Sequence, residues 1–329
     1  MSKMKNKLSK YGVITIIIYI CVFCFLSGLV YHMDRKYDVS RIGTEGAKKF
    51  GISFMTMNNP FFAVISDSIK TAAEANGDVV IVRDPALNPE KQDQQIRDML
   101  NEGIDVLFVN PVDFEAVIPA IKEAKSRGVI VISVDSEIYD EDLADCVVVS
   151  DNYLAGKQSA EYLMEHKSSA EIFILEHNKT KSAIDRVNGF VDALEGHEEY
   201  EIVDIENAEG QLEIAMPITS DVLKNGKSFD TVFAINDLSA MGALAAIKDH
   251  GNLSSIDVLG VDGSPEAKAM IKEGLMLAST AQYPTKIGDY AVTQAYKLLK
   301  NEPYDKKILV DVELVTKDNV DEFGIGSWQ

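Results

Sequence analysis

Five short apolar runs each end on a side chain that hydrogen-bonds or carries charge. Val106-Leu-Phe-Val ends in Asn110, Val129 to Val134 in Asp135, and Thr231 to Ile235 in Asn236-Asp237. Val258-Leu-Gly-Val ends in Asp262, and Ala278 to Ala281 runs out at Gln282. A carboxylate accepts from two neighbouring hydroxyls, whereas Asn and Gln donate and accept at once. The set therefore suits an uncharged polyhydroxyl ligand. Arg186, within Ser182-Ala-Ile-Asp-Arg-Val-Asn-Gly-Phe190, adds a rigid fork of donors for ring and hydroxyl oxygens. Each position also has a plainer reading. Asn and Asp at strand ends cap helices or make turns, and Arg186 could be an exposed helix charge. The group is harder to explain that way, because Asp135 and Gln282 do not immediately precede a clear helix start.

A flat apolar surface would complete such a site, and Thr56-Met57-Asn58-Asn59-Pro60-Phe61-Phe62 offers two rings. Asn-Pro signals a turn and a helix start, because proline fixes φ and bars its predecessor from helical geometry. Ile52 to Met55 precede the turn; Phe62, Ile65, Ile69, Ala72 and Ala73 follow it at helical spacing. The stretch reads as strand, tight turn, helix. Either ring could cap the core, or one could wall a cleft and stack on a ligand.

The elements that must hold these residues are legible from residue 50 onward. Short β-branched runs alternate with helical patterns, the mark of βαβ units and parallel sheets. The expected strands are Ile52–Met57, Val79–Asp84, Val106–Asn110, Val129–Asp135, Cys146–Ser150, Glu171–Glu176, Glu201–Ile205, Thr231–Asn236, Asp257–Asp262, Leu277–Gln282 and Ile308–Val315. Helices are expected near 61–76, 89–102, 113–127, 153–166, 182–195, 211–225, 238–250, 265–273 and 286–300. Gly77, Gly103 and Gly128 stand just past helices, where a left-handed residue ends them cheaply. The rhythm restarts after residue 146, so the expected class is α/β with two similar doubly wound, Rossmann-like lobes. Ligands of such sheets bind beyond the carboxyl ends of the strands. The polar strand ends fall there.

Charge and composition narrow the partners. The 329 residues carry a net charge of -20, yet residues 1–46 hold seven Lys or Arg against three Asp or Glu, which leaves -24 on the rest. So acidic a surface repels nucleic acid and fits a neutral or cationic partner. Lys3, Lys5, Lys7 and Lys10 precede Val13 to Tyr31, nineteen residues without a charge. At ~1.5 Å per residue that run spans roughly 28 Å, close to the hydrocarbon core of a bilayer. A cleaved signal peptide is the alternative, but small residues are missing from the cleavage positions, and neither Cys21 nor Cys24 follows small residues as lipid attachment needs. We expect an uncleaved single-pass anchor with an inside N-terminus and the acidic part extracytoplasmic. Cys146 reads as a buried small hydrophobe, and no disulfide is expected. No phosphate loop, G-x-S-x-G elbow, H-E-x-x-H helix or calcium loop is present, so no cofactor, metal or catalytic residue is expected; His32, His166, His177, His197 and His250 are scattered.

Ordered motifs then carry a family resemblance. They are Asn58-Asn59-Pro60-Phe61-Phe62, Asn110-Pro111, Val134-Asp135, Ser150-Asp151-Asn152, Arg186 with Gly189-Phe190, Phe233 to Asp237 with Gly242-Ala243-Leu244, Gly260 with Asp262-Gly263, and Ala281-Gln282 with Ile287-Gly288. From about residue 50 to 318 the chain resembles the sugar-type periplasmic binding proteins, type I, and within them the ribose-binding branch. The resemblance implies two lobes joined by three hinge crossings, near Ser150–Asp151, Gln282–Pro284 and Asp311–Val312, with the sugar between them. The implied parts are residues 1–46 as tail, anchor and linker; 47–150 with 283–311 as one lobe; 151–282 with 312–323 as the other; and 324–329 as a tail. The implied ligand contacts are Asn59, Phe61, Phe62, Asn110, Asp135, Arg186, Asn236, Asp262 and Gln282.

Three positions depart from the ribose pattern. Ser136, which we keep among the candidate contacts, stands where an arginine is expected, and Gly210 and Val261 stand where aromatic rings are expected. Fewer rings put more weight on the opening pair, and Phe62 is the one expected to reach the sugar. A pentose or hexose other than ribose could fill the altered pocket. The expected function is an extracytoplasmic, membrane-anchored monosaccharide-binding protein that delivers its ligand to an ABC importer. A receptor that shows its closed form to a sensor histidine kinase is the alternative. An envelope glycosidase would need Asp135 and Asp262 as a carboxylate pair.

Overall fold

The alternation of β-branched runs and amphipathic segments forms two helix-covered sheets in the computed structural model, which describes residues 46–251 and 255–329. Lys48–Gln329 form one compact unit. The chain runs β1 (Lys49–Ser53), α1 (Pro60–Ala75), β2 (Val79–Arg83), α2 (Pro89–Asn101), β3 (Val106–Val109), α3 (Ile118–Ser126), β4 (Ile130–Val134) and β5 (Cys146–Ser150). It continues through α4 (Asn152–His166), β6 (Ala170–Glu176), α5 (Lys181–Ala193), β7 (Tyr200–Asn207), α6 (Leu212–Lys224), β8 (Thr231–Ala234), α7 (Asp237–Asp249), β9 (Asp257–Asp262), α8 (Pro265–Glu273) and β10 (Ala278–Ala281). Then come α9 (Pro284–Leu299), β11 (Lys307–Val310) and β12 (Glu313–Thr316).

The strand orders are β11-β5-β4-β3-β1-β2 and β12-β10-β9-β8-β6-β7, so one doubly wound plan occurs twice. Every pairing is parallel except β10 with β12. Parallel strands need crossover helices, which cover both faces, and the central strands β3 and β8 are buried along their whole length. Alternate residues feed opposite cores. Phe50, Ile52, Phe108 and Ile132 pack with Ile65 and Ile287 on one side of the first sheet. Leu107, Val109 and Val131 pack with Ile96 and Ile121 on the other. The backbone passes between the sheets three times: at Asp151 before α4, through Gln282 and Tyr283 before α9, and through Asp311 and Val312 before β12.

Several expected boundaries move for local reasons. β1 ends at Ser53, short of the expected Ile52–Met57, because side chains replace the ladder beyond it: Met55 N donates to Asn110 Oδ1 and Met57 N to Asp84 Oδ1, both at 3.3 Å. The helix expected from 113 starts at Ile118, since Asp113 Oδ1 accepts from Glu115 N and Ala116 N and holds a turn first. The single strand expected over Ile308–Val315 is two strands in different sheets. Gln282 stands two residues before α9, whose cap position is Tyr283, so helix capping does not account for Gln282. The expected anchor over 13–31, with Cys21 and Cys24, lies outside the described residues. Among the described residues no helix is long and apolar enough to cross a membrane.

Two features of the second lobe bear on the site. A Cβ on Gly156 would fall 1.8 Å from the Arg186 carbonyl oxygen, and one on Gly189 would fall 2.0 Å from that of Tyr153. Only glycine lets α4 and α5 meet backbone to backbone, and that contact fixes where Arg186 stands. Lys268 is fully buried, and its Nζ donates to the carbonyls of Phe323, Gly324 and Ser327 at 3.2, 2.9 and 2.6 Å. The segment so held brings Trp328 to 5.6 Å from the Phe61 ring and Gln329 Nε2 to 3.2 Å from the Gly263 carbonyl oxygen. It therefore touches both lobes.

Candidate functional site

The strand ends and helix starts of both lobes bound a polar cavity. Eight of the expected residues line it: Asn59, Phe61, Phe62, Asp135, Arg186, Asn236, Asp262 and Gln282. Asn110 lies one step behind. Its Nδ2 donates to Asp135 Oδ2 at 2.9 Å and to the Val134 carbonyl at 3.2 Å. Ser136 sits apart. It borders a neighbouring hollow on the hinge side, and its Oγ accepts from Ser182 N at 3.2 Å, a contact between the lobes. Phe114 N donates to the Lys179 carbonyl at 3.1 Å, and Lys179 pairs with Asp113 at 3.2 Å, so the lobes also meet at this edge. Gly210 lines the cavity, with φ 68, a backbone that L side chains rarely adopt. Val261 is core, stacked among Ile172, Ile174 and Phe233.

The carboxamides and carboxylates differ in what they have left to offer. Asn59 caps α1, accepting from Phe61 N at 2.9 Å, and Asn236 caps α7, accepting from Ser239 N at 3.0 Å. Asn236 Nδ2 is spent on the Gly210 carbonyl at 2.9 Å. Gln282 Nε2 donates to Asp262 Oδ1 at 2.7 Å, while its Oε1 is buried without a partner. Asp135 Oδ1 is likewise buried and unpartnered. Both aspartates sit where the backbone turns out of the sheet at positive φ, 65 for Asp135 and 132 for Asp262. Such conformations cost energy in non-glycine residues and gather at binding sites.

Arg186 is held before any ligand arrives. Its Nε donates to Asn152 Oδ1 and its Nη1 to the Ile235 carbonyl, both at 2.8 Å, and Nη1 lies 3.9 Å from Asp262 Oδ1. It is 5% exposed, so its charge acts in a poorly solvated place. Asp237, behind the wall, accepts from Ser279 Oγ at 2.6 Å and Ser264 N at 2.7 Å. Burial pushes Asp135 up to about 6, with Arg186 and Asn110 pulling it down. Burial also raises Asp237 to about 6. Asp262 is driven well above the usual carboxylate range by burial first and the neighbouring Asp237 second.

Several lining residues carried little signal in the sequence. His177 follows β6 directly, lines the cavity and has neither ring nitrogen bonded; burial lowers it to about 4 and keeps it neutral. Its place just past a strand end is the cue that marked the aspartates. Asn152 acts by orienting Arg186, and its own Nδ2 is tied to the Ser150 carbonyl at 3.1 Å. Glu209 comes from the turn after β7, which no periodicity marks, and Gln211 stands at the start of the helix expected over 211–225, just before α6. Cys146 is remote and buried; its Sγ donates to the Asp305 carbonyl at 3.1 Å, and burial pushes the thiol up to about 12. Among the described residues no group of three or more His, Cys, Asp or Glu is placed to hold a metal ion.

Two lobes of one topology thus meet at a polar cavity lined from their strand ends. The chain belongs to the periplasmic binding protein domain family, whose pattern it matches over residues 50–303. It is 31% identical over 264 residues to the ribose import binding protein RbsB of Salmonella typhimurium, covering 80% of this chain and 88% of that one. The ribose import binding protein of Bacillus subtilis is 30% identical over 280 residues, 84% of this chain and 90% of the relative. Among solved structures, a Caulobacter myo-inositol binding protein bound to myo-inositol superposes with a TM-score of 0.79 at 29% identity, over 85% of this chain and 96% of that one. A Mycobacterium smegmatis ABC transporter solute binding protein with bound glycerol gives 0.80 at 28%, over 86% and 98%. The relatives are binding proteins, and this chain is not an enzyme.

Proposed function

We propose that the protein binds a monosaccharide-sized polyhydroxyl ligand in the cavity between its lobes and presents the closed form to an ABC importer. The observation that carries this is the set of buried polar atoms left unbonded there: Asp135 Oδ1 from one lobe, both His177 nitrogens from the other, and Gln282 Oε1 from a crossing. Buried polar atoms are ordinarily paired, so a group of them around one cavity is built for a partner. Phe61 and Phe62 supply the apolar wall for the C–H face of a sugar. Asn59, Asn110 and Asn236 act in this reading as supports, and Ser136 as a contact between lobes. The named ligands of the relatives, ribose, myo-inositol and glycerol, are all of this chemical kind. The ligand touches both lobes, so it favours the closed form by its differential affinity. The segment 13–31 would anchor the protein to the membrane, with the lobes outside the cytoplasm.

A thermal-shift screen of the full-length protein against pentoses, hexoses and cyclitols tests the reading. A ligand at 100 times its Kd adds roughly 2.7 kcal/mol of stability. At least one polyol should shift the transition, and Asp262→Ala should abolish that shift. If no polyol moves it, the proposal fails.

A further inference from the structure

Resting on that reading, we infer that the ligand carries an amine: the cavity is built for the ammonium of an amino-substituted sugar or cyclitol. The first ground is the balance of charge. Asp135, Asp262 and Glu209 line the cavity and Asp237 stands behind Asp262, whereas Arg186 is the one Lys or Arg among the described lining residues. Ser136, next to Asp135, is uncharged, and its hydroxyl oxygen accepts from Ser182 N. Arg186 is itself committed, with Nε on Asn152 and Nη1 on the Ile235 carbonyl. One fixed guanidinium thus faces three carboxylates that are each at least nine-tenths buried. His177 is neutral and adds no positive charge.

The second ground is the kind of atom left open. Asp135 Oδ1 and Gln282 Oε1 are both acceptors, both buried and both unpartnered, and neutral His177 adds one acceptor and one donor, so acceptors are in excess. An ammonium brings three donors and no acceptor, together with the charge that the carboxylates lack. A neutral polyol fills the acceptors but brings no charge against which these buried carboxyl groups, which burial pushes toward the protonated form, could ionise. A carboxylate–ammonium hydrogen bond is about twice as strong as its neutral counterpart. The strongly acidic surface outside residues 1–46 would draw such a ligand toward the cleft.

Calorimetric titration of the full-length protein with matched sets tests this: D-glucose, D-glucosamine and N-acetyl-D-glucosamine; the galactose and mannose sets; and scyllo-inositol with its amino derivative. In the set that binds, the free amine should bind at least about tenfold tighter than the neutral parent, whose hydroxyl matches the amine in size, and acetylation, which removes the charge and adds an acetyl group, should erase the gain. Asp135→Asn, with a side chain suited to positive φ, should reduce that ratio; Glu209→Gln, at a partly exposed site, should reduce it less. A neutral parent or acetylated amine that binds as well as the free amine overturns this inference while leaving the polyol reading intact. No binding by any of these compounds overturns the inference, and if no pentose, hexose or cyclitol shifts the thermal transition either, the polyol reading falls with it.

Discussion

The two lobes use the same addresses for different ends. Asn110 follows β3 and Asn236 follows β8, which are equivalent strands of the two sheets; Asp135 and Asp262 end the equivalent strands β4 and β9. In the first lobe the chain turns loosely after β3, and α3 starts only at Ile118. Asn110 is therefore free to reach across to Asp135. In the second lobe α7 starts at once, at Asp237, and Asn236 is consumed as its cap. Asp262 is served from a crossing, by Gln282, and shares Arg186 with two other buried carboxylates. Identical residue types at identical positions thus give one lobe an open acceptor and the other a crowded charge network.

That contrast can be broken most severely at Arg186. Arg186→Ala removes the one guanidinium from the second lobe's network and leaves buried carboxylates unpaired, so it should cost roughly 3–5 kcal/mol. Urea denaturation measures this; a loss below about 1 kcal/mol would mean the network is not coupled as described.

The titrating groups sharpen the comparison at a smaller scale. Asp135 is raised to about 6, so its folded form holds the proton more tightly than the unfolded chain. The stability it lends is complete below about pH 4 and is lost as pH rises through about 6, on the order of 3 kcal/mol. His177 is lowered to about 4, so the stability tied to it is complete above about pH 6.5 and is lost as pH falls toward 4. In the ligand-free protein, Asp135→Asn should flatten the decline on raising pH, and His177→Asn the decline on lowering it. Unfolding midpoints taken between pH 4 and 8 would show the two effects with opposite slopes; equal slopes would contradict the assignment.

Much of this was legible in the sequence because it rests on local rules. Period and turn residues marked the helices and strands, as at Gly77, Gly103 and Gly128, which have φ of 81, 78 and 75. The polar strand ends Asp135, Asp262 and Gln282 were visible because an apolar run stopping on a polar group is a local pattern. What remained hidden depends on distant chain. The run Ile308–Val315 is continuous in sequence yet serves two sheets, because pairing with β5 and β10 divides it. The roles of Asn152 and Asp237 exist only once α4, α5 and β10 have come together. His177 looked like any scattered histidine until folding buried both its nitrogens beside the cavity. Caps and contacts compete for the same side chain, and only the tertiary arrangement shows that Asn236 is spent while Asp135 is not.

The central claim is that one ligand is gripped by both lobes at once. Isothermal titration of the best polyol from the screen into the parent, Asp135→Ala, Asp262→Ala and the double variant tests it directly. Each single change should weaken binding about tenfold or more, because each removes a buried hydrogen-bond partner. Binding at parental affinity by either single variant, with its unfolding transition intact, would mean that the ligand sits on one lobe and would contradict the account.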